Sequence, residues 1–260
     1  MIKAVFFDID GTLVSFHTHQ VPESAAKAIC KLRTKGIKVF IATGRHLSSI
    51  DNLGDLEFDG YITLNGAFCY AGHDTVIHKH PIHPSDIQNL IHFLNGPQTF
   101  PCVLAGEKRL IMNYQNETTK KLFSLLNFKT PALGKIQEAT QEDIYQLIAF
   151  IPGPDKNNFI RQIMPHSEAT SWHPSFADVV PQGSSKDIGI SKTIAHFGIH
   201  PNETMAFGDG GNDISMLQHA AIGIAMGNAE LTVQKAADYV TDTVDNDGIA
   251  KALTYFGLLE

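Results

Sequence analysis

The stretch Ala4-Val5-Phe6-Phe7-Asp8-Ile9-Asp10-Gly11-Thr12 decides the fold. Four consecutive apolar residues without alternation read as a strand buried on both faces. Residues i and i+2 of an extended strand point the same way, so Asp8 and Asp10 emerge together where that strand ends. Gly11 then lets the chain turn. Adjacent carboxylates repel, so the pair needs a cation, a shared proton or contact with water. A divalent metal is the reading that makes chemical use of the arrangement.

Outward from this stretch, strand and helix signals alternate. Pro22 opens a helix whose apolar positions Ala25, Ala28, Ile29 and Leu32 have helical spacing, and Gly36 ends it. Ile37–Ile41 is the next strand, followed by Thr43-Gly44-Arg45 and a short helix. Tyr61–Leu64 is a third strand, and the turn signals Asn65-Gly66 and Gly72-His73-Asp74 mark hairpins. The alternation returns late in the chain. A helix is expected from Lys186 to His196, then a strand over Thr204–Phe207 ending in Gly208-Asp209, and a helix carrying Ile214 and Leu217. A strand over Ala221–Ala225, a helix, a strand over Asp238–Val240 and a last helix near 248–256 follow. Such units build a doubly wound parallel α/β sheet covered on both faces.

The middle reads differently. A helix opens at Pro84, and the strands Cys102–Leu104 and Leu110–Met112 flank a Gly106-Glu107-Lys108 turn. A helix near 117–126, a strand near 146–151, a helix near 155–164 and strands near 167–172 and 176–181 come next. Hairpins mixed with helices indicate an α+β unit. The expected organisation is therefore one unit from 1–81 and 183–260 with an inserted α+β domain over 82–182.

Composition narrows the function. The chain has 260 residues, 43% of them hydrophobic, with a formal charge of −7 and four arginines, Arg33, Arg45, Arg109 and Arg161. No basic run interleaves with aromatics, which speaks against a nucleic-acid partner. Cys30, Cys69 and Cys102 lie far apart without CxxC spacing, as free thiols in a reducing compartment would. Asp8 and Asp10 interrupt the N-terminal apolar stretch too early for a signal peptide, and no apolar run reaches the ~20 residues of a membrane span. A cytoplasmic protein without membrane contact is expected, with a monomer favoured.

Four places put polar, charged or glycine-rich residues at the C-terminal edge of a strand or beside a helix start, where open parallel sheets bind ligands. They are Asp8 with Asp10, Thr43-Gly44, Lys186, and Gly208-Asp209-Gly210-Gly211-Asn212-Asp213. Each has an ordinary structural explanation alone, such as a helix cap, a solvated lysine or a tight turn. Together they solve the problem of bringing a carboxylate nucleophile to a phosphate monoester. Asp8, Asp209 and the backbone carbonyl of Asp10 offer oxygen ligands of the kind Mg²⁺ prefers. Thr43, the amide of Gly44 and Lys186 would hold the non-bridging phosphate oxygens. Asp8 would attack phosphorus to form an aspartyl-phosphate. Asp10 would protonate the leaving oxygen and later take a proton from water.

With these residues in view, the whole chain resembles the haloacid dehalogenase superfamily, in its Cof-type sugar-phosphatase branch. DIDGT at 8–12, ATGR at 42–45, Lys186 within SSKDIGISK at 184–192, and GDGGND at 208–213 match the four family motifs in order. The resemblance implies Asp8 as nucleophile, Asp10 as acid/base, Thr43 on the phosphate, Asp209 on the metal, Asn212 on the phosphate side and Asp213 as a supporting acid. It also implies a Rossmann-like core, an inserted α+β cap and Mg²⁺. AMGNA at 225–229 and DNDGIAKAL at 245–253 look like C-terminal signatures of the branch and are read as structural turns and helix starts. Gly210 departs from relatives that carry a larger polar residue there. The superfamily's dehalogenases lack the second acid of the first motif, so Asp10 argues against that chemistry.

The leading expectation is Mg²⁺-dependent hydrolysis of small phosphorylated metabolites, sugar phosphates above all. A phosphomutase on the same scaffold is the alternative, but it needs a second phosphate grip, and the insertion holds only Arg109 and Arg161. A non-catalytic phosphometabolite-binding module is a third reading, although such a module has no need of both acids and the lysine. Candidate substrate residues are Asn65 and Gly66 on the core and His173 and Asp178 on the insertion.

Overall fold

The computed structural model describes residues 1–125, 128–170 and 174–260. The chain begins with β1 (Ala4–Phe7), α1 (Glu23–Thr34), β2 (Lys38–Ala42), β3 (Gly60–Thr63), β4 (Phe68–Ala71) and β5 (Thr75–Lys79). Next come α2 (Pro84–Leu94), β6 (Cys102–Ala105), β7 (Leu110–Met112), α3 (Glu117–Leu125), β8 (Ala132–Leu133), β9 (Gln146–Ala149), α4 (Lys156–Ile163), β10 (Ser167–Thr170) and β11 (Ala177–Pro181). It ends with α5 (Lys186–Phe197), β12 (Thr204–Gly208), α6 (Ile214–His219), β13 (Ile222–Ala225), α7 (Leu231–Gln234), β14 (Tyr239–Val240) and α8 (Gly248–Tyr255).

Two compact units emerge. One comprises Met1–Thr43, Ile50–His78 and Ser185–Glu260; the other comprises Gly44–Ser49 and Lys79–Ser184. The first is built on a sheet of order β14-β13-β12-β1-β2-β3-β4-β5. Strands β14 through β3 are parallel, and β4 turns back antiparallel to β3 at the Asn65-Gly66 turn. This is the α/β sheet that the strand–helix alternation implies. All four residues of β1 are fully buried. Ala4 and Phe6 join Phe40, Ala206 and Ala225 on the face packed by Ile190 and Ile194 of α5 and Met216 and Leu217 of α6. Phe6 stacks on Phe40 with centroids 4.9 Å apart, while Phe7, pointing the other way, stacks on Phe207 at 5.1 Å. Burying such aromatics on both faces contributes about 2 kcal/mol or more per ring and explains the lack of alternation in β1.

The second unit holds a sheet of order β10-β11-β9-β6-β7-β8, antiparallel except between β7 and β8. Alternation along its strands makes two apolar faces. Cys102, Leu104, Leu147, Ala149 and Val179 face Ile87 and Leu90 of α2 and Ile160 of α4. Val103 and Met112 face Leu122 and Phe123 of α3. Buried Asp86 at the start of α2 accepts from the His166 amide (3.0 Å), His166 Nδ1 (2.9 Å) and Ser167 Oγ (2.7 Å), which stitches α2 to β10 and leaves no orphan charge.

Boundaries shift where periodicity is short. The helix expected after Arg45 is a single 3₁₀ turn, Leu47–Ser49, and β8 is a two-residue strand that no pattern announces. The expected helix end at 126 and strand end at 171–172 lie outside the described residues. No helix among the described residues is long and apolar enough to cross a membrane.

Candidate active site

Strand order reverses between β1 and β12, the topological switch point where such sheets bind ligands beyond their carboxyl ends. Asp8 directly follows β1, and Asp209 directly follows β12. The Asp8 amide donates to the Phe207 carbonyl at 3.0 Å, which keeps the two strand ends in step.

Lys186 enters this place as the first residue of α5. Its side chain is fully buried, and Nζ donates to Asp8 Oδ1 at 2.6 Å and to Asp213 Oδ1 at 2.5 Å. Asp213 in turn accepts the Asp209 amide (3.0 Å) and the Gly210 amide (2.9 Å) on Oδ2. The glycine-rich turn after β12 is thus folded around one carboxylate, which pairs with the lysine. The start of α5 is set by the turn after β3. Leu64, Asn65 and Gly66 have φ of 51°, 52° and 90°. Positive φ costs about 1 kcal/mol at a non-glycine residue. At Gly66 a side chain is also sterically excluded, because a Cβ would collide with the Ser185 carbonyl, next to Lys186. Contact between these two backbones places the helix end.

Asp209 is oriented by two residues. Thr12 Oγ1 donates to its Oδ1 at 2.7 Å. Asn228 Nδ2 donates to the Gly11 carbonyl at 2.8 Å and lies 3.4 Å from Asp209 Oδ2, while its own Oδ1 accepts the Val244 amide at 3.1 Å. Gly11, at φ 83°, lies so close that a Cβ would strike Asp209 Oδ2. Sequence reasoning missed both orienting residues. Thr12 stood inside DIDGT without a role, and Asn228 stood in the AMGNA stretch read as a structural turn.

The electrostatics follow from burial and crowding. The Asp8 carboxyl is pushed up to about 7. Burial is the first cause, the Asp213 charge adds to it, and Lys186 reverses only part of the shift. Asp209 is likewise raised, by burial and then by Asp8 and Asp213, with the Thr12 hydroxyl opposing. Burial alone would lower the Lys186 pKa, but Asp213 and Asp8 outweigh it and hold it above the usual lysine value. Carboxylate oxygens of Asp8, Asp209 and Asp213 all lie within 4.8 Å of one another. When ionised, three carboxylates against one ammonium leave the cluster two charges negative. An all-oxygen donor set with that charge fits a hard divalent cation. The Asp10 carboxylate is not among the three clustered acids, and its sequence-expected contribution was the backbone carbonyl.

The other sequence-predicted residues fall as follows. Thr43 is buried at the end of β2; its amide donates to the Ile62 carbonyl (2.8 Å) and its carbonyl accepts the Asn65 amide (3.1 Å). Asn65 Oδ1 accepts from Asn212 Nδ2 at 2.9 Å, so the turns after β3 and β12 meet. Gly44 belongs to the second compact unit, where its carbonyl accepts from Gln146 at 3.1 Å. Asp178 is in that unit too, buried on β11 beside Gln146. His173 lies outside the described residues.

The sequence profile of the haloacid dehalogenase-like hydrolases matches residues 5–253. The chain belongs to that family. Among the family's curated proteins it is 33% identical over 261 residues to the putative phosphatase YkrA of Bacillus subtilis (strain 168), covering 99% of both chains. It is 32% identical over 260 residues to a putative bifunctional phosphatase/peptidyl-prolyl cis-trans isomerase of Streptococcus pyogenes, and spans 55% of the length of that protein. The solved structure of the haloacid dehalogenase subclass IIB sugar phosphatase BT4131 superposes with a TM-score of 0.92 at 44% identity, covering 98% of this chain and 99% of that one. This family member is accordingly an enzyme whose similar proteins are phosphatases.

Proposed function

We propose that this chain is a Mg²⁺-dependent phosphatase that hydrolyses small phosphorylated metabolites, sugar phosphates foremost, through an aspartyl-phosphate on Asp8. The observation that carries the proposal is the buried Lys186 bridging Asp8 (2.6 Å) and Asp213 (2.5 Å) beside Asp209 at the sheet's switch point. Asp8, Asp209 and the Asp10 carbonyl would hold the metal. Asp213, already occupied by Lys186 and two amides, supports them. Bound there, Mg²⁺ would offset the negative charge that nucleophile and phosphate share.

The residues then divide the work. Lys186 fixes the Asp8 carboxylate and, with the Thr43 hydroxyl, the Gly44 amide and Asn212, takes up charge on the non-bridging oxygens. An Asp8 oxygen forms a bond to phosphorus as the bond to the leaving oxygen breaks, and Asp10 gives its proton to that oxygen. Asp10 then accepts a proton from the water that attacks phosphorus, and the Asp8 carboxylate is released with inorganic phosphate. The inserted unit would act as a cap over 82–182 that excludes water and reads the substrate's remaining groups, with Asp178, Asn65, Gly66 and His173 as candidate contacts. Against the phosphomutase alternative, Arg109 is already engaged by Glu142 (2.5 Å) and Glu138 (3.4 Å), and Arg161 is exposed.

A phosphate-release screen over phosphorylated sugars, nucleotides and cofactors with Mg²⁺ tests the reading. Turnover of at least one sugar phosphate, lost in Asp8→Asn, supports it. Silence across the panel, or an active D8N, overturns it.

A further inference from the structure

Three separate stretches of the first compact unit meet at the turn after β3. The Asn65 amide donates to the Thr43 carbonyl, past the end of β2, at 3.1 Å. The Asn65 side-chain oxygen accepts from Asn212 Nδ2, in the turn after β12, at 2.9 Å. A Cβ on Gly66 would strike the Ser185 carbonyl, one residue before Lys186. The turn is built against backbone preference, since Leu64 and Asn65 have φ of 51° and 52°. Asparagine tolerates this left-handed region better than most residues, and glycine adopts it with no steric penalty. The backbone alone would be served by glycine at position 65. The Asn65 side chain, buried at 2% exposure, is accounted for by what it holds.

What it holds is an amide with two unlike ends. The Asn212 side chain has a donor nitrogen and an acceptor oxygen, and a flip of the group exchanges them. Asn212 is only half-buried, so burial does not fix that choice. Its Nδ2 has two hydrogens, and the bond to Asn65 Oδ1 takes one of them. That bond sets the nitrogen end in place and leaves the second hydrogen to donate. A flipped amide would present its oxygen to an arriving anion and repel it. We propose that Asn65 is a positioning residue for phosphate binding, its side-chain oxygen holding the Asn212 amide with a hydrogen directed at a non-bridging phosphoryl oxygen. This rests on the phosphatase reading above and adds to it the group that orients the phosphate-side asparagine. Asn65 then acts through Asn212 and not on the substrate itself.

The test is a double-variant cycle on the sugar phosphate that wild type cleaves best, with Asn65→Gly, Asn212→Ala and the pair. Glycine keeps the left-handed backbone and removes only the acceptor. N212A should lower kcat/KM about 10–100-fold, the worth of a hydrogen bond to a charged group, and N65G about 10-fold. In the N212A background the change at Asn65 should have no further effect, because both variants remove one function. Competitive inhibition by inorganic phosphate reads binding without turnover, and its inhibition constant should rise in both single variants and no further in the pair. N65G should melt within about 4 °C of wild type, the effect of one lost hydrogen bond. Three results overturn the proposal while leaving the phosphatase reading intact. They are unchanged kcat/KM in N65G, an N65G loss that persists in the N212A background, and an N65G that does not fold or melts further below wild type than this. A wild type that cleaves no sugar phosphate overturns the phosphatase reading itself, and this inference with it.

Discussion

Replacing Asp8 by Asn should stabilise the metal-free protein while abolishing turnover. Asp8 is held at about 7 against an ordinary value of 3.8. A carboxylate whose pKa is raised on folding costs nothing below its unfolded value. The cost grows as pH rises between the two values and is constant above the folded one. The shift of roughly three units, at about 1.4 kcal/mol each, sets an upper bound of ~4 kcal/mol above pH 7. Asn keeps the shape without the charge. At about 2–4 °C per kcal/mol for a domain of this size, D8N should melt several degrees above wild type at pH 8 in EDTA. At pH 5 less than half of that gain should survive, because folded wild type is then protonated at Asp8. Calorimetry or circular dichroism melts at the two pH values, with phosphate release measured alongside, are sufficient. A D8N variant that melts at or below wild type at pH 8, or whose gain does not shrink at pH 5, refutes the reasoning.

Other perturbations follow from the same geometry. Lys186→Met strands two buried carboxylates and should cost about 3–5 kcal/mol of stability, read by denaturant melts, with turnover falling below detection. Gly66→Ala forces a side chain into the Ser185 carbonyl at positive φ and should cost ~2 kcal/mol or more while lowering kcat, since the start of α5 must move. Asn228→Ala removes the donor that ties Gly11 to Asp209. It should raise the Mg²⁺ concentration needed for half-maximal activity about 10–100-fold with little change in melting temperature.

Much of the site is legible in the sequence because its residues sit at strand ends. The run Ala4–Phe7 announces a doubly buried strand, and Asp8 directly follows it; the strand stops at Phe7, so its period does not carry through Ile9, which lies in a turn, and the acids clustered with Asp8 are Asp209 and Asp213. Lys186 is conspicuous as a cation at a helix start, where the dipole disfavours it. The orienting layer is less visible. Thr12 and Asn228 are polar residues in turns, and turns use such residues for their own backbone bonds. Only tertiary structure shows that Asn228 reaches back across 217 positions to the Gly11 carbonyl. On the fold, β8 and the single turn after Arg45 are too short to carry a period.

The most direct test is to mix enzyme, Mg²⁺ and a hydrolysed sugar phosphate, quench in acid within one turnover, and map the protein by mass spectrometry. Asp10→Asn should be run in parallel with p-nitrophenyl phosphate, whose leaving group needs no proton, because the variant then lacks only the base that activates water. We expect a phosphoryl group on the peptide bearing Asp8, transient in wild type and accumulating in D10N. Burst release of the sugar with no phosphoryl group on any peptide, or a phosphoryl group on a residue other than Asp8, contradicts the proposed chemistry.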